Sequence, residues 1–187
     1  MIRQVEEYGK YVAIAGFRDV RLVDIEQILT ISQKGFRSGG IQFFDAQLIA
    51  GWQHLFFTAV NALKAFKNGT NISKKLSIEC LLYASAQRQI KNAVNLIGIK
   101  PDTSEIAVLA ITDDERIANT ALTNISKLIP GIREDGVLEL SDEKMDQIKR
   151  LFRISNGELR SKLEENGEKQ AICDLVIEHI ALLVTQR

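Results

Sequence analysis

Across residues 47–67 apolar side chains return every three or four positions: Leu48, Trp52, Leu55, Phe56, Ala59, Leu63 and Phe66. That period marks a helix with one apolar face. A helix of this kind gains most of its stability from packing rather than from propensity, so the chain must supply other elements to cover it. Its end is equally legible. Gly69 occupies a natural C-terminal stop, and Lys64 and Lys67 lie toward the negative end of the helix dipole.

Short apolar runs supply the partners. Residues 11–17 (YVAIAGF), 41–46 (IQFFDA) and 104–112 (SEIAVLAIT) read as strands, and 136–140 (GVLEL) as a short fourth. Between them come further helices. Asp24 caps one carrying Ile25, Ile28 and Leu29, with Gly35 as its stop; another covers about 77–85. Ser85 is expected to cap the next, whose apolar positions are Ile90, Ala93, Val94 and Ile97 before Gly98. Thr112 with Glu115 resembles a capping box for a helix to Leu128, which the Ile129, Pro130, Gly131 sequence ends. Ser141 and Lys144 open another, with Met145, Ile148, Leu151 and Phe152 on one side; a small helix follows Asn156 and a long apolar one runs over about 168–185. The acidic stretch near 131–136 reads as a loop, either ordered or flexible. Strands and helices do not alternate as βαβ units, which predicts an α+β fold: a small mixed or mainly antiparallel sheet covered by several helices. A chain of 187 residues suits one core, so residues 1–187 are expected to form a single domain.

The longest apolar runs, such as IALLV at 180–184, fall far short of the roughly 20 residues of a membrane span. The opening MIRQVEEYGKYV has no secretory-leader pattern. Cys80 and Cys173 lie in apolar helical text, where cysteine acts as a small hydrophobe, and this predicts a reducing, cytoplasmic location. The formal net charge is zero but unevenly spread: residues 41–100 carry seven Lys/Arg against two Asp/Glu, residues 101–187 eleven against seventeen. A basic middle suits an RNA backbone and an acidic half a basic protein, unless the two compensate within the chain.

Catalytic patterns are missing. His54 and His179 each fall in a helix, with no HExxH or CxxC beside them, so neither a metal centre nor a histidine-activated nucleophile is indicated. GFRSGGIQ at 35–42 lacks the glycine order of a phosphate loop, and the acid pairs Asp113 with Asp114 and Glu164 with Glu165 fall where solvated helix ends put them. No catalytic residue, cofactor or metal is expected.

The stretch LLYASAQRQIKNAV, residues 81–94, carries a different signal. Arg88 and Gln89 are expected in the first turn of a helix, where free N–H groups favour an anion; Lys91 adds a donor, and Lys64, Lys67, Lys74 and Lys75 lie close if the helices fold back. The competing reading pairs Arg88 with Glu79, the only acid between 46 and 101. Upstream, Asn68 and Gly69 make a turn that Asn71 and Ser73 can fasten with their side chains. Ile72, alone among polar neighbours, either plugs the core or projects toward a partner.

Taken in order, FDAQLIAGWQHLFFTAVNALKAFKNGTNIS and LSIECLLYASAQRQIKNAVNLIGI resemble the small kinase-regulating subunit of the KEOPS complex, the PRPK-binding protein family. The likeness runs through His54 and Ala59, through Asn68, Gly69, Asn71, Ile72 and Ser73, and through Glu79, Leu81, Leu82, Tyr83, Ser85, Arg88, Gln89 and Ile90. It covers about residues 40–99 and weakens toward 130. The resemblance implies a noncatalytic subunit that binds and stimulates a small atypical kinase or ATPase. It further implies help in recruiting tRNA, by its acceptor end and CCA tail, to an assembly that makes threonylcarbamoyladenosine with the other KEOPS subunits. Carried onto this chain, it places the kinase contact around Leu55, Ile72, Leu81 and Leu82, and the tRNA contact around Lys74, Lys75, Arg88 and Lys91. Tyr83 and Phe57 are candidates for base stacking or for the core. Rival classes are an independent RNA-binding or RNA-processing enzyme and a scaffold self-associating through Trp52, Phe56 and Phe57.

Overall fold

A computed structural model describes residues 1–21 and 39–185, with the side chains of 164–166 left aside. The helix expected to follow Asp24 lies outside the described residues. The fold is α+β, as expected, and the sheet is antiparallel at every described pairing.

Among the described residues five strands form it: β1 Ile2–Val5, β2 Lys10–Arg18, β3 Gly40–Asp45, β4 Ile106–Thr112 and β5 Ile132–Arg133. The order is β1-β2-β4-β3, and β5 adds to β2 beyond the end of β1. In register, Ile14 faces Leu109 across β2 and β4, and Phe43 faces Val108 across β3 and β4. All seven residues of β4 are buried, as a central strand covered on both faces requires.

Alternation along these strands sorts the core. Val12, Ile14, Phe44, Leu109 and Ile111 face α1 (Trp52–Asn68) and α2 (Leu76–Ala84). Ala13, Ala15, Phe17, Phe43, Ile106, Val108 and Ala110 face α4 (Glu115–Leu128) on the other side, through Ala118, Leu122 and Ile125. The short α3 (Ile90–Ile97) follows α2. A third cluster joins α5 (Asp142–Phe152) to α6 (Asn156–Ala181) and reaches Ala50 before α1.

Several local expectations change. β1 was not expected; of its four residues only Ile2 and Val5 are apolar, and tertiary pairing with β2 makes it a strand. The helix expected from about Gln47 begins at Trp52, because Asp45 caps a 3-10 turn at Ala46–Leu48 and Gly51, at φ 96, turns the chain before α1. Residues 136–140 are no strand: a 3-10 turn spans Asp135–Leu138. Asp135 accepts the Gly16 N–H at 3.0 Å, and a Cβ on Gly16 would come within 2.5 Å of the Val137 side chain, so the segment crosses β2 at close quarters. Asp114, rather than Thr112, caps α4 by accepting the Arg116 N–H at 2.7 Å, and the Thr112 hydroxyl donates to the Asp114 carbonyl. Asp113 pairs with Lys10. Past Asn156 the two expected helices follow, a shorter and a longer one under the single label α6, separated at Gly167, whose φ of 77 breaks the helical path. Lys144 stands in the first turn of α5, as expected, and it is buried, with its Nζ donating to the carbonyls of Ala46 and Val137.

Candidate functional site

α2 is the shortest route between the parts of the motif that carry polar side chains. It has nine residues and is buried on nearly every side, so its chemistry concentrates at its two ends.

At the start, α1 stops at Gly69, whose φ of 65 lets its N–H reach back to the carbonyls of Ala65 and Phe66, closing the helix behind Asn68. The turn that follows is fastened as the sequence suggested: the Asn71 amide donates to the Ser73 carbonyl at 2.9 Å, and the Ser73 hydroxyl accepts the Lys75 N–H at 3.2 Å. The main fastening is Glu79. Its carboxylate is fully buried and accepts the Ile72 N–H, at 3.1 and 3.0 Å to its two oxygens, and the Ser73 N–H at 2.7 Å. It answers to the backbone of this turn, where the sequence left it as a possible mate for Arg88. Held this way, Ile72 leaves 39% of its surface exposed, with Lys74 and Lys75 exposed beside it. Of the two sequence readings, the projecting one stands.

At the other end, Ser85 closes α2 instead of opening the next helix: its hydroxyl donates to the carbonyls of Leu81 and Leu82 at 2.9 and 3.2 Å. α3 begins at Ile90 with Gln89 as its N-cap residue, so Arg88 stands one residue before the cap rather than in the first turn. Ala86 takes φ 50, which allows its N–H to bond Tyr83 O and the Gln87 N–H to bond Leu82 O. His54, from α1, completes the elbow. Its Nδ1 accepts the Ala50 N–H at 3.2 Å, so Nε2 carries the hydrogen and donates to the Ala84 carbonyl at 2.9 Å. Burial pulls the His54 pKa down to about 4, against the raising effect of that carbonyl, and the ring is neutral at physiological pH.

The elbow lines a cleft of about 430 Å³ together with Phe152 and Arg153, at the end of α5, and His179 of α6. Ser85, Gln87, Arg88 and Asn92 form the near wall. Arg88 Nη1 lies 3.5 Å from the Leu183 carbonyl, and His179 Nε2 lies 3.5 Å from Glu158. Arg153, like Ala86, holds a positive φ, 55. Two non-glycine residues in left-handed backbone therefore border one cleft, the kind of local strain that collects at binding sites. Three rings run in series from the buried side to the cleft: His54 meets Phe152 edge-on at 5.5 Å, and Phe152 meets His179 at 6.4 Å. A second cleft, about 500 Å³ beside Gly51, Trp52, Gln53, Leu140 and Cys173, includes none of residues 68–92.

Not every expected residue reaches the surface. Leu55, Leu81 and Leu82 are at most 1% exposed and pack on the sheet, and Tyr83 is 5% exposed, so none presents a face to a partner. Ile90 and Val94, expected to anchor α3, are exposed, while Ala93 and Ile97 do the anchoring. Lys74 and Lys75 sit at the start of α2, Arg88 and Lys91 beyond its end, separated by a helix roughly 13 Å long. Sequence reasoning missed Phe152, Arg153 and His179 as partners of the elbow, and no spacing in the chain connects residues 85–92 with 152–153 and 179. Among the described residues no group of three or more histidine, cysteine or acidic side chains could hold a metal ion.

This pattern of turn, buried helix and elbow lies within a longer likeness. Residues 17–183 match the family described as kinase binding protein CGI-121. The chain belongs to the CGI-121 family. One curated relative, regulatory protein Cgi121 of Methanocaldococcus jannaschii, is 32% identical over 134 residues, which is 72% of this chain and 83% of the relative. Another, KEOPS complex subunit Cgi121 of Pyrococcus abyssi, is 32% identical over 100 residues, 54% of each. Among the described residues no helix is long and apolar enough to cross a membrane.

Proposed function

We propose that this chain is a noncatalytic subunit of a KEOPS-type tRNA-modifying assembly, with all 187 residues acting as one unit. It binds the small atypical kinase through the turn that displays Ile72, and it holds the acceptor end of tRNA in the cleft at the end of α2. The single observation that carries the kinase half is Glu79. A buried carboxylate bonded to the N–H groups of Ile72 and Ser73 fixes an isoleucine outside the core, where burial against a partner would recover its hydrophobic stabilisation. The family description, kinase binding protein, supports a kinase as that partner, and the name of the Pyrococcus abyssi relative supports a KEOPS assembly.

A regulator acts on a kinase by binding one of its conformations more tightly than another, which needs no nucleophile of its own. The purified pair should therefore turn over ATP faster than the kinase alone. Unchanged turnover in an intact pair would refute the regulatory role. For the RNA half, Arg88, Lys91 and Arg153 supply positive charge at or beside the cleft, and Gln87, Asn92 and the exposed edge of His179 supply donors and acceptors. Arg88→Glu together with Lys91→Glu should weaken tRNA binding and flatten its dependence on salt. Equal binding by this variant and the parent across a salt series would remove the cleft from the RNA reading.

A further inference from the structure

We infer that His54 is a positioning residue for the cleft: by tying the start of α1 to the end of α2 it sets the path of residues 85–89. The inference rests on reading that cleft as the RNA site. A buried histidine needs a hydrogen-bond partner for each ring nitrogen. Here one ring nitrogen serves Ala50, four residues back, and the other reaches Ala84, 30 residues ahead. The Ala84 carbonyl is one of the acceptors left over where α2 ends, and the next two residues, Ser85 and Ala86, already line the cleft. Ala86 lies in left-handed backbone, which persists only where the surroundings hold it. The same imidazole packs edge-on against Phe152, which lines the cleft from α5. One side chain thus sets two walls of the cleft without touching its contents, being wholly buried.

The test uses the full chain and two readouts. The first is hydrogen exchange of backbone amides in the parent, His54→Leu and His54→Gln; glutamine keeps a donor at the reach of Nε2. The second is binding of a single-stranded RNA oligonucleotide ending in CCA. His54→Leu should speed exchange at Ala86 and Gln87 by about tenfold or more, the loss of one buried hydrogen bond, while the Ile72 and Ser73 amides stay within about twofold. RNA affinity should fall by about tenfold in the same variant, and His54→Gln should recover most of both losses. Exchange that is unchanged at the elbow, or accelerated equally at the Ile72 turn, would overturn the positioning role, as would a glutamine variant no better than leucine. Should the exchange pattern hold while the parent fails to bind the oligonucleotide, the positioning role stands and the RNA reading of the cleft falls.

Discussion

Just before α2, the Ile72 turn has backbone N–H groups to satisfy; where the helix ends, it leaves carbonyls. The protein meets the first need with a buried carboxylate from within the helix, Glu79, and the second with a buried imidazole from a neighbouring helix, His54. The difference has consequences. Glu79 acts within a span of seven residues and yields a convex feature, an isoleucine tip flanked by lysines. His54 acts across 30 residues, engages Phe152, and yields a concave one built from three helices. A tip made locally suits a single protein contact. A cleft assembled from distant segments depends on the packing of the whole helical layer, and so answers to changes made far from it.

The largest effect that would break this comparison is acid. His54 in the folded chain takes its proton near pH 4, whereas an unfolded histidine takes it near 6.5, so protons bind the unfolded state first. Stability should fall as pH drops through this window, by up to about 3 kcal/mol at pH 4, and His54→Gln should lack that part of the slope. Urea titrations at a series of pH values measure both. A parent and a glutamine variant with identical slopes would mean that His54 is not held neutral.

Next in size is Glu79→Leu, which strands the Ile72 and Ser73 N–H groups and should cost about 2 kcal/mol in chemical denaturation, with faster exchange confined to the Ile72 turn. Equal acceleration at the elbow would show that the two ends are not separate. Ala86→Gly should raise stability by about 0.5 kcal/mol, because glycine accepts φ 50 without the clash a Cβ brings. A drop in stability would show that the Ala86 methyl packs more than it strains. Ile72→Glu should move stability least, within about 0.5 kcal/mol, while weakening kinase association. A large loss of stability there would return Ile72 to the core.

Much of this architecture is legible from local pattern. The 3.6-residue period of α1, the short apolar runs of β2 and β4, and the stop at Gly69 all act through neighbours in sequence. So does the turn closed by Asn71 and Ser73. What escaped depends on distance. β1 becomes a strand only by pairing with β2, and residues 136–140 lose strand geometry because Gly16 admits a crossing segment. Ser85 looks like a start signal, since a serine before an apolar run is one, yet its hydroxyl turns back to the helix it ends. Leu81 and Leu82, expected at a partner contact, are instead buried in the core. Arg153 and His179 reach the elbow only after α5 and the fold at Gly167 bring them there.

The most direct measurement is a crossed one: Ile72→Glu and the Arg88→Glu, Lys91→Glu pair, each titrated against the kinase and against tRNA under the same conditions. Separate ends predict opposite losses, with Ile72→Glu weakening the kinase by at least about tenfold and leaving tRNA within about twofold, and the charge-reversed pair doing the reverse. If both variants lose both partners in equal proportion, the two ends of α2 form one surface and the division drawn between them is wrong.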